Sequence, residues 1–410
     1  MRILQVNKFY YRRGGADHHF LDLCDLLEKH GEAVIPFSML DERNEPTPYS
    51  DYFVSNIELG HVGLSNIFRA GRVLYSFEAK RKITRLIADV EPEIAHLHLI
   101  YHHLSPSILP PLKKAGVPVV MTIHDWKAIC PNYSLFTEGK PCVRCRGGHY
   151  WQSTRHLCMR HSLLRSAMST VEAYFHHFRR YYEDYIDLLI APIDFVKEMF
   201  VFFGWPENKI VVLPHFLAED FIRLKKPTSP PVRPRFIYAG RLAPEKGIEQ
   251  LVETWLKEKI AGGLDIFGEG PLGEKIRSMV AAGGRKDIVC HGAIGRDELA
   301  KRLPNYTAMI MPSVWYEIFG LAAIEAFARG VPVVASQRGS LVELVETSKA
   351  GVLFEWEKGP DSLPRALERL YANLEGYRQR AIDYMEGHHQ AEEYYAALKN
   401  IYFKLAAGGK

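Results

Sequence analysis

"AMIMPSVWYEIFGLAAIEAFARGVPVVA" runs from Ala308 to Ala335. It opens on a short apolar run, Ala308–Met311, and closes on another, Val331–Ala335. Between them a loop reaches Phe319-Gly320-Leu321, and a run rich in alanine and apolar residues reads as a helix. Strand, loop, helix and strand in that order form the unit of a parallel sheet, because parallel strands need a crossover connection. The same stretch carries two carboxylates, Glu317 in the loop and Glu325 in the helix, with seven residues between them. A carboxylate on so apolar a helix needs hydroxyl or amide partners, since burying it alone is costly.

Working outward, the unit recurs along the chain. Ile3–Val6, Ala33–Pro36, Ile94–Leu97, Val117–Ile123 and Leu188–Ala191 read as strands, and Asp17–His30 and Lys80–Val90 have helical spacing. Strands resume at Phe236–Ala239, Asp265–Phe267, Ala308–Met311 and Val331–Ala335. The fold class is α/β, with two doubly wound parallel sheets. "KKPTSPPVRP" (Lys225–Pro234) holds four prolines, which deny helix and sheet alike. The expected domains are 1–214, with a cysteine-rich basic insert at about 126–182; a connection over 215–234; 235–388; and a final helix within 389–410. Ala391–Leu405 puts Tyr394, Leu398, Ile401 and Tyr402 on one face, so that helix is expected to dock on the body of the protein.

Composition bounds the function. The chain has 410 residues, 47% apolar and 24% charged, enough for two ordinary cores. Its net charge of +4 is too mild to imply nucleic acid. Charges interrupt the start, "MRILQVNKFYYRRGG", so no signal peptide is expected there. No apolar run reaches the length of a membrane span. A cytoplasmic protein is expected.

Ligands of such sheets sit beyond the carboxyl ends of the strands. After the first strand, Gly14-Gly15 precede a helix and could bring amides to an anion, or form a plain turn. In "YAGRLAPEKGIEQLVE" (Tyr238–Glu253), Arg241 and Lys246 flank a proline turn ahead of a helix. An arginine fork and a lysine point charge suit a diphosphate; the plainer reading is a solvated surface pair. The amides that open the Phe319-Gly320-Leu321 helix favour phosphate, and a ribose diol would supply Glu325 with two donors.

"GRLAPEKG" (Gly240–Gly247), "EIFGLAAIEAFARGVPVVAS" (Glu317–Ser336), "GGADHHFLDL" (Gly14–Leu23), "TIHDW" (Thr122–Trp126) and "LIAPIDFVKEMFVFFGWPENKIVVLPH" (Leu189–His215) occur in that family's pattern and order: the chain resembles the family 4 glycosyltransferases of GT-B fold. The resemblance implies two facing Rossmann-like domains with the active site in the cleft, and retaining transfer of a hexose-type sugar from a nucleotide-diphosphate-sugar. It implies that Arg241, Lys246, Gly320 and Leu321 hold the donor diphosphate with the amides at Gly14 and Gly15. It places Glu317, Ile318 and Phe319 on the transferred sugar, Glu325 on the ribose, and Gly292, Ala293 and Ile294 along the base. His124 would face the sugar near the reacting carbon, with Glu317 as its catalytic partner. The leaving group would be stabilised by cations and helix dipoles, with no divalent metal for catalysis. Two positions depart from the family pattern: Asp17 stands where glutamate is usual, and "LPHF" (Leu213–Phe216) replaces a Pro-Asn turn.

The acceptor side is marked by "HLHLIYHHLSP" (His96–Pro106), where His98 and His102 could meet an acceptor or be ordinary core histidines, and by Asp125. Cys130, Cys142, Cys145 and Cys158 fall in the insert around "CVRC" and fit a structural zinc, two disulfides or free thiols. Between Lys140 and Tyr182 eight Lys and Arg residues face only Glu172, with aromatics interleaved. That suits an anionic, lipid-linked or glycan acceptor, or an anionic membrane surface on the inner face, or else a solvated helical face. The rival classes are a sugar-nucleotide epimerase or hydrolase of the same fold, a catalytically dead scaffold, and a zinc-knuckle nucleic-acid binder. The last leaves the strand-end residues without a use, so no nucleic acid is expected.

Overall fold

A computed structural model describes residues 1–56, 71–223, 233–258 and 260–408. The expected proline-rich connection lies outside them except for Arg233 and Pro234. The chain divides into two compact units. One comprises Met1–Leu135, Cys142–Pro214 and Glu392–Lys410; the other comprises Phe136–Pro141 and His215–Ala391.

The strands of the first sheet are β1 (Arg2–Val6), β2 (Ala33–Phe37), β3 (Ile94–Leu97) and β4 (Val119–Thr122); after a small hairpin of β5 (Phe136–Thr137) and β6 (Lys140–Pro141) come β7 (Leu188–Ala191) and β8 (Ile210–Val212). Their spatial order is β2-β1-β3-β4-β7-β8, every pair parallel. The strands of the second sheet are β9 (Arg235–Ala239), β10 (Gly263–Phe267), β11 (Ile288–Gly292), β12 (Ala308–Met311), β13 (Val333–Ser336) and β14 (Gly351–Phe354). They lie in the order β11-β10-β9-β12-β13-β14, again all parallel. Every residue of β3, β4 and β13 is buried, as expected for strands covered on both faces.

Each order reverses at one place, between β1 and β3 in the first sheet and between β9 and β12 in the second. Such a reversal leaves a crevice at the strand carboxyl ends, where ligands bind. The second core is built from residues such as Phe236, Trp255, Ile310 and Leu367, which fix β9 and β12 side by side.

The helix expected at Ala391–Leu405 runs over Ala391–Gly408 and packs in the first unit through buried Tyr394, Leu398 and Tyr402. Several boundaries differ from the sequence expectation. The helix expected from Phe319 starts at Leu321, because Gly320 takes a left-handed φ of 90° as its N-cap. Val117 and Pro118 stay outside β4, which begins at Val119. Strands β8, β11 and β14 lack a clear sequence signal: β8 has three residues, while β11 and β14 carry a glycine at an end.

Candidate active site

In the second unit the site grows from the β9/β12 reversal. The loop after β9 makes a short turn over Pro244–Lys246 and passes through Gly247, φ 68°. A Cβ on Gly247 would sit 1.9 Å from the Pro312 carbonyl oxygen, so only glycine lets the two loops meet. The Val314 N–H donates to the Glu245 carbonyl at 3.0 Å and ties the same loops together. This close approach delivers Lys246 to Glu317. The Lys246 Nζ donates to Glu317 Oε1 at 2.7 Å and to Oε2 at 3.0 Å. Ser313 Oγ donates to Glu317 Oε1 at 2.5 Å. Burial pushes the Glu317 carboxyl up, but the Lys246 charge and the hydrogen bonds outweigh it and hold it below the ordinary range. Glu317 is therefore a buried, ionised carboxylate with an ammonium on its face.

The loop that follows is held by Ser340, whose Oγ lies 2.7 Å from the carbonyl oxygens of both Glu317 and Ile318. With Ile318 and Phe319 buried and Gly320 turning the chain, the first amides of the Leu321–Ala328 helix follow directly after Glu317. The Ala323 N–H donates to the Gly320 carbonyl at 2.8 Å, and the opening amides together carry the helix's positive dipole end. Glu325 lies on this helix with its Oε1 accepting from Arg296 Nε at 2.7 Å, both side chains largely buried. Arg296 begins a helix directly after the Gly292–Gly295 loop, so the expected base-lining residues Gly292, Ala293 and Ile294 lead into the partner of Glu325. Arg241 pairs with Glu245 and keeps most of its side chain exposed.

In the first unit the Gly15–Lys29 helix opens at Gly14, which is extended rather than left-handed. Both glycines are exposed, and a Cβ on Gly14 would meet nothing closer than Asp17 Oδ2 at 3.8 Å. The smallness of Gly14 therefore leaves room over the helix end rather than relieving strain. Asp17 is buried and accepts from Asn7 Nδ2 at 3.0 Å.

His124 follows β4 and is half-buried. Its Nε2 lies 2.8 Å from His98 Nδ1, and His98 Nε2 lies 3.2 Å from Gln5 Oε1. The Gln5 amide nitrogen donates to Tyr402 Oη at 3.5 Å, which turns Oε1 toward His98. The network thus assigns protons to the Nε2 atoms of His98 and His124, leaving His124 Nδ1 an acceptor. Burial pushes His124 down to about 3, so it is neutral near pH 7. A neutral imidazole acceptor suits a hydroxyl donor. His96, on β3 two residues before His98, bridges Tyr402 Oη at 2.6 Å and Thr122 Oγ1 at 2.7 Å.

Asp125 and His102 join a different cluster. Asp125 accepts from the Lys127 N–H at 2.8 Å, and burial pushes it up to about 7. His102 is pushed down to about 4, first by burial and then by the Lys127 charge. Lys127 and Glu172 form a buried ion pair at 2.7 Å beside them. The four insert cysteines make no disulfide. Cys130 Sγ donates to Asn132 Oδ1 at 2.9 Å, and burial pushes its thiol up to about 11. The expected zinc set of Cys130, Cys142, Cys145 and Cys158 lies close enough together for the other three to act on the Cys145 thiol, although among the described residues no group of three or more His, Cys, Asp or Glu side chains is placed to hold a metal ion. Sequence reasoning also missed Gln5, Ser313, Arg296 and Ser340. Gln5, Arg296 and Ser340 matter only through partners far along the chain, and Ser313, four residues before Glu317, is an ordinary loop serine until the fold turns it onto that carboxylate.

The chain matches the Glycosyltransferase Family 4 model over residues 13–221 and the Glycosyl transferases group 1 model over residues 233–373. It belongs to the family 4 glycosyltransferases. An uncharacterized glycosyltransferase of Methanocaldococcus jannaschii is 32% identical over 150 residues, 36% of this chain and 38% of that protein. The first three curated relatives are matched over only 30% to 38% of their own length. Among solved structures, sucrose-phosphate synthase from Thermosynechococcus elongatus superposes with TM-score 0.73 at 18% identity over 99% of both chains. Anabaena HepE in complex with UDP and glucose does so with TM-score 0.67 at 15% identity, over 98% of this chain and 99% of that one. The fold is GT-B, two Rossmann-like domains with parallel sheets.

Proposed function

We propose that the protein is a retaining glycosyltransferase that moves a hexose-type sugar from a nucleotide-diphosphate-sugar to a glycan or lipid-linked acceptor in cell-surface polysaccharide or glycolipid synthesis. The observation that carries this reading is the Lys246–Glu317–Ser313 constellation, set at the β9/β12 reversal and followed at once by a helix N-terminus. A cation and helix amides suit a diphosphate; a buried carboxylate beside them suits sugar hydroxyls. Support for the donor class comes from HepE, whose structure holds UDP and glucose on the same fold.

In this reading the bond between the sugar's anomeric carbon and the diphosphate oxygen breaks through an oxocarbenium-like state. Lys246, Arg241 and the helix amides take up the charge that develops on the leaving diphosphate. The acceptor oxygen bonds to the same face of the anomeric carbon, and its proton passes to the departing phosphate. Glu317 orients the sugar, Glu325 binds the ribose, and neutral His124 accepts from a sugar hydroxyl. The enzyme works in the cytoplasm against the inner face of the membrane.

A thermal-shift panel of UDP-, GDP- and ADP-sugars tests the donor by linkage. One selective rise, lost in Lys246→Ala, is the expected result. No rise with any nucleotide sugar sinks the reading. Donor consumption that is indifferent to acceptor, giving free or epimerised sugar, assigns the site to an epimerase or hydrolase instead.

A further inference from the structure

The Leu163–Phe178 helix is inside out. Its buried face is polar: Ser166, Ser169, Thr170, Glu172 and His176. Each of these points into a bonded partner. Ser169 Oγ meets Ser153 Oγ at 3.3 Å, Thr170 Oγ1 meets Thr154 Oγ1 at 2.8 Å, Glu172 holds Lys127, and His176 Nε2 meets the Leu74 carbonyl at 2.9 Å. These bonds fix which way the helix faces, since a rotation would strand buried polar groups. The outward face is apolar. Leu163 is 64% exposed, Leu164 59%, Val171 56% and Phe178 84%, with Met168 and Tyr174 also open to solvent.

Leu164, Met168, Val171 and Phe178 recur at helical spacing, so they form one continuous stripe. Trp151 extends it, its backbone N–H donating to Tyr174 Oη at 3.3 Å. Seven large apolar or aromatic side chains therefore stand open on one region, a patch of the kind that marks an interaction surface.

Charge selects what covers this face. Arg155, Arg160, Arg165 and Arg179 are exposed around it. The one acidic residue between Trp151 and Arg180 is Glu172, buried on the opposite side and paired. A second copy docking here would set arginines against arginines, which disfavours a self-interface. Anionic headgroups complement them, and Trp151 and Tyr174 are the side chains that prefer the boundary between water and acyl chains. No helix among the described residues is long and apolar enough to cross a membrane.

We propose that the outward face of the Leu163–Phe178 helix lies in the interface of an anionic lipid bilayer and docks the protein there. This names the surface for the membrane contact suggested above, and it is tested without donor or acceptor, so it stands or falls apart from the sugar-transfer reading.

The test is flotation of the full chain with phosphatidylcholine vesicles, with and without one third phosphatidylglycerol. Binding should need the anionic lipid, weaken at high salt, and fall about 5-fold for each of Arg155→Gln and Arg165→Gln. Val171→Asp with Phe178→Asp should reduce it on the order of 100-fold. Both sites are exposed, so an unchanged thermal midpoint shows that the fold is intact. Wild type that ignores phosphatidylglycerol vesicles, or a well-folded double variant that binds them equally, overturns the proposal. So does a concentration-dependent dimer that the double variant abolishes while wild type fails to float, because the face would then belong to a second copy.

Discussion

The Lys246 ammonium spans both carboxylate oxygens of Glu317, at 2.7 and 3.0 Å, although the two stand 71 positions apart in sequence. Two things follow from one contact. The pair lets a buried carboxylate stay ionised, which is a matter of stability. It also stores a cation beside a helix N-terminus, which in the proposed reading is a matter of catalysis.

These two roles can be pulled apart. Lys246→Ala leaves Glu317 buried without its cation, a change that costs up to about 3–5 kcal/mol, less here because Lys246 is partly exposed. It should also lower kcat/KM by about 100- to 1,000-fold, the size of losing one transition-state charge partner. Lys246→Met combined with Glu317→Gln removes both charges, so most of the lost thermal midpoint should return. Activity should not. A double variant that recovers turnover along with stability would show that the pair is only structural.

Arg296 and Glu325 define a second relationship, 2.7 Å from Nε to Oε1, which holds the carboxylate in place on the Leu321–Ala328 helix. If Glu325 reads the ribose, wild type should bind a ribonucleotide-sugar about 10- to 100-fold tighter than its 2′- or 3′-deoxy analogue, the scale of one charged hydrogen bond. Glu325→Ala should bring that ratio near one, and Arg296→Ala should shrink it by loosening the carboxylate. Titration of each protein with both ligands gives the ratio directly. A ratio that survives Glu325→Ala removes the ribose from that residue.

How far the sequence carried depends on the distance between partners. Leu188–Ala191 was legible because four apolar residues run together, whereas the three of Ile210–Val212 were lost. Gly247 was visible as a turn residue, yet its reason, the Pro312 carbonyl lying against it, belongs to the folded loops. Lys246, Glu317 and Glu325 were each named from their strand-end or helix context. That Lys246 grips Glu317, and that Glu325 has an arginine partner, required the β9/β12 reversal and the loop after β11. The Leu163–Phe178 helix shows the opposite case. Its apolar stripe was written in the sequence, but periodicity alone says that such a stripe faces the core. Only the hydrogen bonds of Ser169, Thr170, Glu172 and His176 show that it faces out.

His96 supplies a test of the first unit in acid. It is fully buried between Tyr402 and Thr122, and burial, aided by the His124 charge, pushes it down to about 3. Unfolded, it returns to an ordinary value of about 6.5. Between these two values the unfolded chain binds a proton that the folded chain refuses. Stability is therefore full above the unfolded value and is lost as pH falls toward the folded one, by about 1.4 kcal/mol per pH unit. His124, pushed down to about 3, and His102, to about 4, act in the same direction. Asp125 opposes them, since burial raises it to about 7 and the folded state gains as that carboxyl protonates. His96→Asn keeps a polar group but removes the titration. It should be less stable than wild type at pH 7, through the smaller side chain, and should lose stability more slowly on acidification. Urea unfolding at pH 7, 6 and 5 measures both slopes. The variant's slope should be shallower by about 1.4 kcal/mol per unit, and parallel slopes would show that burial does not hold the His96 ring neutral.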